Sequence, residues 1–244
     1  EISCSLVGSE MCIRDRLTLW QLLALIIAKD VLMPQPIDVF QQILHLLVTS
    51  KFYQTILLTL VRANLGFVIA LIIGITLGLI GGLNPSFKEF MQPIISFLQT
   101  IPQISFIIIL LVWFDQFLCI LIIIFLMTFP IVYHNVISGI ENIDESLKDV
   151  ICLYPQPLSY TIFHVYLPLI KPSIISAILS ILPLSLKIGV MAEVLIQTRA
   201  GIGTQLYLAR MNIDMISVFA WTICLVIMMT IEVSLVKKML LTKQ

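Results

Sequence analysis

The sequence predicts an all-α polytopic membrane protein with about six transmembrane helices, and three observations lead there. Only 11% of its 244 residues are charged, less than half of the roughly 25% usual in soluble domains. Hydrophobic residues make up 59% and the mean hydropathy is +1.08. Several apolar stretches approach the roughly 20 residues a helix needs to cross about 30 Å of hydrocarbon. The formal net charge is zero, so no nucleic-acid partner is suggested. Cys4, Cys12, Cys119, Cys152 and Cys224 have neither CxxC nor metal spacing, which argues against a disulfide framework and a metal site.

Residues 1–16, "EISCSLVGSEMCIRDR", lack the period and the apolarity of the rest of the chain. They resemble translated adaptor sequence and are read as a non-native or disordered leader. Residues 17–33 form the first span; no small-x-small cleavage site comes after it, so it is read as retained. Pro34 and Pro36 end it, because proline has no N–H to continue a helix. "IDVFQQILHLLVTS" then has apolar residues at helical spacing but too few to cross, which makes it an interfacial helix. Residues 17–50 are thus the first transmembrane helix with a periplasmic interfacial segment, and residues 51–241 are the transmembrane core.

The second span, residues 55–82, carries Gly74, Gly78 and Gly82. Small residues four apart share one helix face and let backbones approach closely, which is how helices pack where lipid supplies no hydrophobic drive. "GLNPSFKEF" makes a polar turn before the third span, residues 91–113, which Pro93 and Pro102 interrupt. Gln99 and Gln103 are i, i+4 and so predicted on one face; they are candidates to line a translocation path, with interhelical hydrogen bonding as the alternative use. The fourth span, residues 117–137, contains Pro130.

A charged interruption comes next, "DESLKDVICLYPQPLSYTIFHVYLP", over residues 144–168. Ile143, Leu147, Val150 and Ile151 have the spacing of an amphipathic helix, "YPQP" breaks the chain, and "LSYTIFHVY" offers a second short helix. Apolar faces in so long a connection call for a partner surface. The fifth span, residues 172–196, holds Lys187 and Glu193. Each would cost about 2.5 to 3.5 kcal/mol at a helix centre, so both should face the bundle or water. Six residues apart, they lie about 240° around the helix and are not expected to pair. Lys187 is a candidate to attract an anionic substrate and Glu193 a candidate gate or structural group. Arg62, near a span end, is expected to snorkel. The sixth span covers residues 215–235. Six lysines (88, 148, 171, 237, 238 and 243) fall on the face shared with the termini, against Lys51, Arg199 and Arg210 opposite. That bias makes the terminal side cytoplasmic.

The stretch "IDESLKDVICLYPQPLSYTIFHVYLPLIKP" resembles the EAA loop of inner-membrane permeases of binding-protein-dependent ABC importers. "LKIGVMAEVLIQTRAGIGTQL" is similar to the K-x-x-x-x-A-E and small-G-x-G stretch of their nitrate, taurine and aliphatic-sulfonate class. "LMPQPIDV", "VRANLGFVIALIIGITLGLIGG" and "IPQISFIIILLVWF" fall in the order that class shows. The resemblance implies a type I importer permease fold with a cytoplasmic coupling-helix loop at residues 141–171. Asp149 stands for the loop glutamate, Val150 and Ile151 for the two alanines, and Pro155 for the glycine. With Tyr154, Gln156, Pro157 and Leu158 these are the positions implied to couple to an ATPase. The implied partners are cytosolic ABC ATPase subunits, a periplasmic solute-binding protein, a second permease copy and the lipid bilayer, in a bacterial inner membrane. No cofactor and no enzyme chemistry are expected. No G-x-x-x-x-G-K-[ST] occurs in the sequence, so ATP hydrolysis would belong to the partner. The rival is an ion-gradient-driven secondary transporter or channel, which predicts more paired intramembrane carboxylates.

Overall fold

A computed structural model describes residues 15, 18–27, 32–153 and 156–241. The regular secondary structure of these residues is helical throughout: α1 (Thr18–Ile27), α2 (Pro36–Val48), α3 (Ser50–Leu83), α4 (Pro85–Thr100), α5 (Gln103–Trp113), α6 (Gln116–Glu141), α7 (Glu145–Leu153), α8 (Leu158–Thr161), a π-turn (Ile162–Tyr166), α9 (Leu167–Ile196), α10 (Ile202–Met211) and α11 (Met215–Leu241). Four helical runs are long and apolar enough to cross a membrane: α3, α6, the run Ser159–Ile196, and α11; α4 and α5 are apolar enough only as a pair, which is sharply bent and forms a broken span or a re-entrant loop. The first expected span appears only as α1, which is shorter than a crossing needs; residues 28–31 lie outside the described part.

The chain forms two compact units: residues 1–58 with 197–228, and residues 59–196 with 229–244. In the first, Trp20 stacks on Phe219 at 5.8 Å, Phe52 packs on Trp221 at 5.3 Å, and Gln42 Nε2 donates to Ser217 Oγ at 3.2 Å. Val39 of α2 is buried while Ile37, Phe40 and Leu44 are exposed.

The second unit carries the site. Its core is α6, whose Ile120, Ile123, Ile124, Val132 and Val136 are fully enclosed; α9 packs along it and α4 and α5 lie against it. α3 approaches α6 so closely that side chains do not fit between them. A Cβ built on Gly74 would lie 2.6 Å from Val132 Cβ, and one on Gly78 2.8 Å from Val136 Cβ; on Gly82 it would strike Ile140 Cδ1. Gly66 repeats this against Ile124 at 2.8 Å.

Prolines depart from expectation in two places. Pro93 lies inside α4 without breaking it, whereas at Ile101–Pro102 the chain turns extended and α4 and α5 meet at 97°. The residue before a proline is pushed out of the α region, and Ile101 accordingly has φ −70° and ψ 131°. The second short helix expected at "LSYTIFHVY" does not end before the fifth span. α8, the π-turn and α9 form one helical run over Ser159–Ile196, so the second short helix and the fifth span are a single rod. Pro168 has no N–H for the His164 carbonyl and its ring would press on it. The π-turn widens the helix by one residue just before Pro168, with Leu167 N–H donating to Ile162 O.

Candidate functional site

The first half of α3 carries three polar side chains that tie it to α9 and α11. Thr59 and Arg62 are i, i+3 and project from one helix face. Both reach Glu193 of α9: Arg62 Nη1 lies 2.8 Å from Oε1, and Thr59 Oγ1 lies 3.1 and 2.9 Å from the two carboxylate oxygens. Glu193 is wholly buried, and Arg62 is 14% exposed. A carboxylate so enclosed persists as an ion only beside a cation that also hydrogen-bonds it. Arg62 therefore does not snorkel, and Glu193 presents no oxygen to a water-filled path. Half a turn further along α3, Asn64 Nδ2 donates to Glu232 Oε1 of α11 at 2.7 Å and to Leu60 O at 3.0 Å. Neither tie is legible in the sequence. The available signal is the presence of one arginine and two glutamates inside apolar spans, each too costly to leave unpaired.

Lys187 points the other way. The outward positions of α9 include Ser176, Ser180, Lys187, Met191 and Leu195, spaced by four or seven residues and so by about one or two turns of a 3.6-residue helix. The N-terminal half of this stripe is polar, and Lys187 forms no ion pair among the described residues. The outward stripe of α3 is different in kind: Val61, Leu65, Ile69, Ile72 and Ile80 are exposed hydrophobics, a surface suited to lipid. Gln99 is exposed near the end of α4, while Gln103 is half-buried at the start of α5. The 97° bend between them means that their i, i+4 spacing does not place them on one helix face.

At the opposite end of α6, Lys88 of α4 pairs with Glu141. The coupling segment lies beyond it. Asp149 is exposed on α7, Ile151 is half-buried, and Gln156 and Pro157 are exposed. Tyr154 and Pro155 lie outside the described residues, as do the side chains of Val150 and Leu158. Ile143, expected on the amphipathic stripe, is 8% exposed and sits in the chain's own core with Ile140, Ile170 and Leu182. Leu147 and Leu153 remain exposed. Tyr160 and His164 stack at 4.3 Å on the rod that leaves the segment.

The family described as "Binding-protein-dependent transport system inner membrane component" matches residues 70–239. Among curated proteins, one of Bacillus subtilis (strain 168), SsuC, named for aliphatic sulfonate transport permease activity, is 25% identical over 207 residues, 84% of this chain and 74% of that protein. The bicarbonate transport system permease protein CmpB of Synechococcus elongatus is 31% identical over 154 residues, 62% of this chain and 55% of its own length. The formylaminopyrimidine transport permease protein ThiX of Halalkalibacterium halodurans is 22% identical over 171 residues, 69% of this chain and 68% of its own.

Proposed function

Because the chain belongs to the family of binding-protein-dependent transport system inner membrane components, and is thus a multi-pass permease subunit of an ABC importer, we propose that its outward α9 stripe lines a path for a small anion. The observation that carries this reading is Lys187, an ionic group on an apolar span with no ion-pair partner among the described residues. A lysine facing lipid there would be costly, whereas one facing a wet passage is solvated and attracts negative charge. Two of the three relatives are named for sulfonate and bicarbonate, both anions at neutral pH, which supports the charge; the pyrimidine relative leaves the solute itself open.

In this reading Gln99 and Gln103, on either side of the bend, supply hydrogen-bonding groups to the same path. The segment from Asp149 to Leu158 faces the cytosol and seats on an ABC ATPase, with Leu147 and Leu153 as its exposed apolar anchors. A second permease copy closes the other side of the path, a periplasmic solute-binding protein delivers the solute, and both termini are cytoplasmic in a bacterial inner membrane. The glycines of α3 keep α3 and α6 in contact as the subunit rocks.

The test is uptake of radiolabelled ethanesulfonate and bicarbonate by vesicles carrying the permease with its ATPase and binding protein. Uptake that needs ATP and is lost in Lys187→Met, with expression unchanged, supports the reading. Undiminished transport by Lys187→Met removes Lys187 from the path, and uptake by the purified chain alone without ATP overturns the ATP-driven assignment.

A further inference from the structure

We propose that the Thr59–Arg62–Glu193 cluster is a register pin, which fixes α9 at one rotation and height against α3 and so positions Lys187 for transport. This rests on Lys187 lining the path, and the experiment separates the two. The shapes of α3 and α9 define their register poorly where they meet. Ala63 is fully buried, and a Cβ placed on Gly189 would lie 3.3 Å from Ile124 Cδ1 of α6 and 3.6 Å from Ala63 Cβ. Between α3 and α9 themselves two such small residues give a smooth contact; the larger side chain beside them, Ile124, belongs to α6 and so does not key one of the two helices to the other. The cluster lies immediately beside this contact: Arg62 precedes Ala63, and Glu193 is one turn beyond Gly189.

Two donors one turn apart on α3 converge on one carboxylate of α9, so the arrangement is satisfied at a single register. A one-residue slip turns α9 by about 100° and shifts it about 1.5 Å, which leaves a buried carboxylate and a guanidinium apart. Ionic groups of this kind can specify register while contributing little net stability, as buried polar residues do in helical pairs. The same slip would carry Lys187 off the outward stripe, since it lies about 9 Å along α9 from Glu193.

The test replaces the whole cluster with apolar residues of similar size, Thr59→Val, Arg62→Met and Glu193→Leu together, so that neither ion of the pair is left without the other. Spin labels at Leu65→Cys and Met191→Cys, both exposed, report the α3–α9 distance in a background without native cysteines. The expected result is a single narrow distance in the intact chain and a broadened or multiple distribution in the triple variant, which still folds. In the complete importer, ethanesulfonate or bicarbonate taken up per ATP hydrolysed should fall about tenfold, within the range of coupling effects between sites. A triple variant with the parental distance distribution and parental uptake per ATP overturns the proposal. Should that variant not be recovered from the membrane, Arg62→Lys decides, because it keeps the charge but loses the planar fork: an unchanged distribution and uptake ratio then overturn it. If the intact importer takes up neither anion, the reading of the path fails, while the distance measurement still judges the pin.

Discussion

Gly74 offers a quantitative test of how α3 and α6 are held together. Alanine at this position would place Cβ 2.6 Å from Val132 Cβ and 2.7 Å from Val132 Cγ1, against an optimum of about 3.5 to 4.0 Å for carbon pairs. The shortfall is about 1 Å, and Val132 has little freedom to move because its branched side chain is locked at χ1 in a helix and is fully buried. Overpacking of this kind costs about 1 to 3 kcal/mol. Alanine also gains about 1 kcal/mol of helix propensity over glycine, so the single variant is expected to lose only about 0 to 2 kcal/mol. The decisive measurement is therefore the double-mutant cycle with Val132→Gly, which removes both obstructing atoms, Cβ and Cγ1, and keeps the propensity gain at position 74. In that background Gly74→Ala should become neutral or stabilising, with a coupling energy of about 1 to 3 kcal/mol. Denaturant-induced unfolding in detergent micelles measures all four corners of the cycle. The severity should also fall from Gly74 to Gly82, where the nearest atom is the flexible tip of Ile140. Equal effects of Gly74→Ala in both backgrounds would refute the close-packed seam.

The polar ties and the exposed faces give further expectations. Asn64→Leu removes the donor to Glu232 Oε1 and should cost about 1 to 3 kcal/mol in the same unfolding assay, while Glu232→Gln in the Asn64→Leu background should recover most of it by removing the charge. Glu193→Leu alone leaves Arg62 half of a broken buried pair and should cost about 3 to 5 kcal/mol, read as lowered thermal stability. Lys88→Ala should change stability by less than about 1 kcal/mol, since both members of the Lys88–Glu141 pair are well exposed. Replacing Asp149, Gln156 and Pro157 together by alanine should release the ATPase on copurification without altering the melting temperature of the permease, because all three are exposed.

The distribution of these features along the sequence explains which were legible there. Apolar length fixes α3, α6, α9 and α11, because burial in lipid acts on every residue of a span and leaves a signal over about twenty positions. A break depends on one residue and its surroundings. Pro93 and Pro102 are the same residue type within one predicted span, yet α4 passes through one and ends at the other; the difference lies in whether the preceding residue has an extended conformation, which tertiary contacts decide. Pro168 is tolerated for a third reason, the π-turn ahead of it, which has no compositional mark. The four-residue period of Gly74, Gly78 and Gly82 is visible in the sequence, and so is that of Val132, Val136 and Ile140, but nothing local states that the two rows face each other. Charges are the least legible. The cost of an ion in a span can be read from its position, which is why Lys187, Glu193 and Arg62 stand out. Its resolution is a pairing, and geometry along one helix excluded Lys187 as the partner of Glu193 without naming Arg62 from another. Once that pair is made, Lys187 is left facing outward from the middle of α9, away from Lys171 near its start, so the structural use of one charge leaves the other available for transport. A transport defect from Lys187→Met with intact folding, and a folding defect from Glu193→Leu, would express this division directly; reversal of the two phenotypes would contradict it.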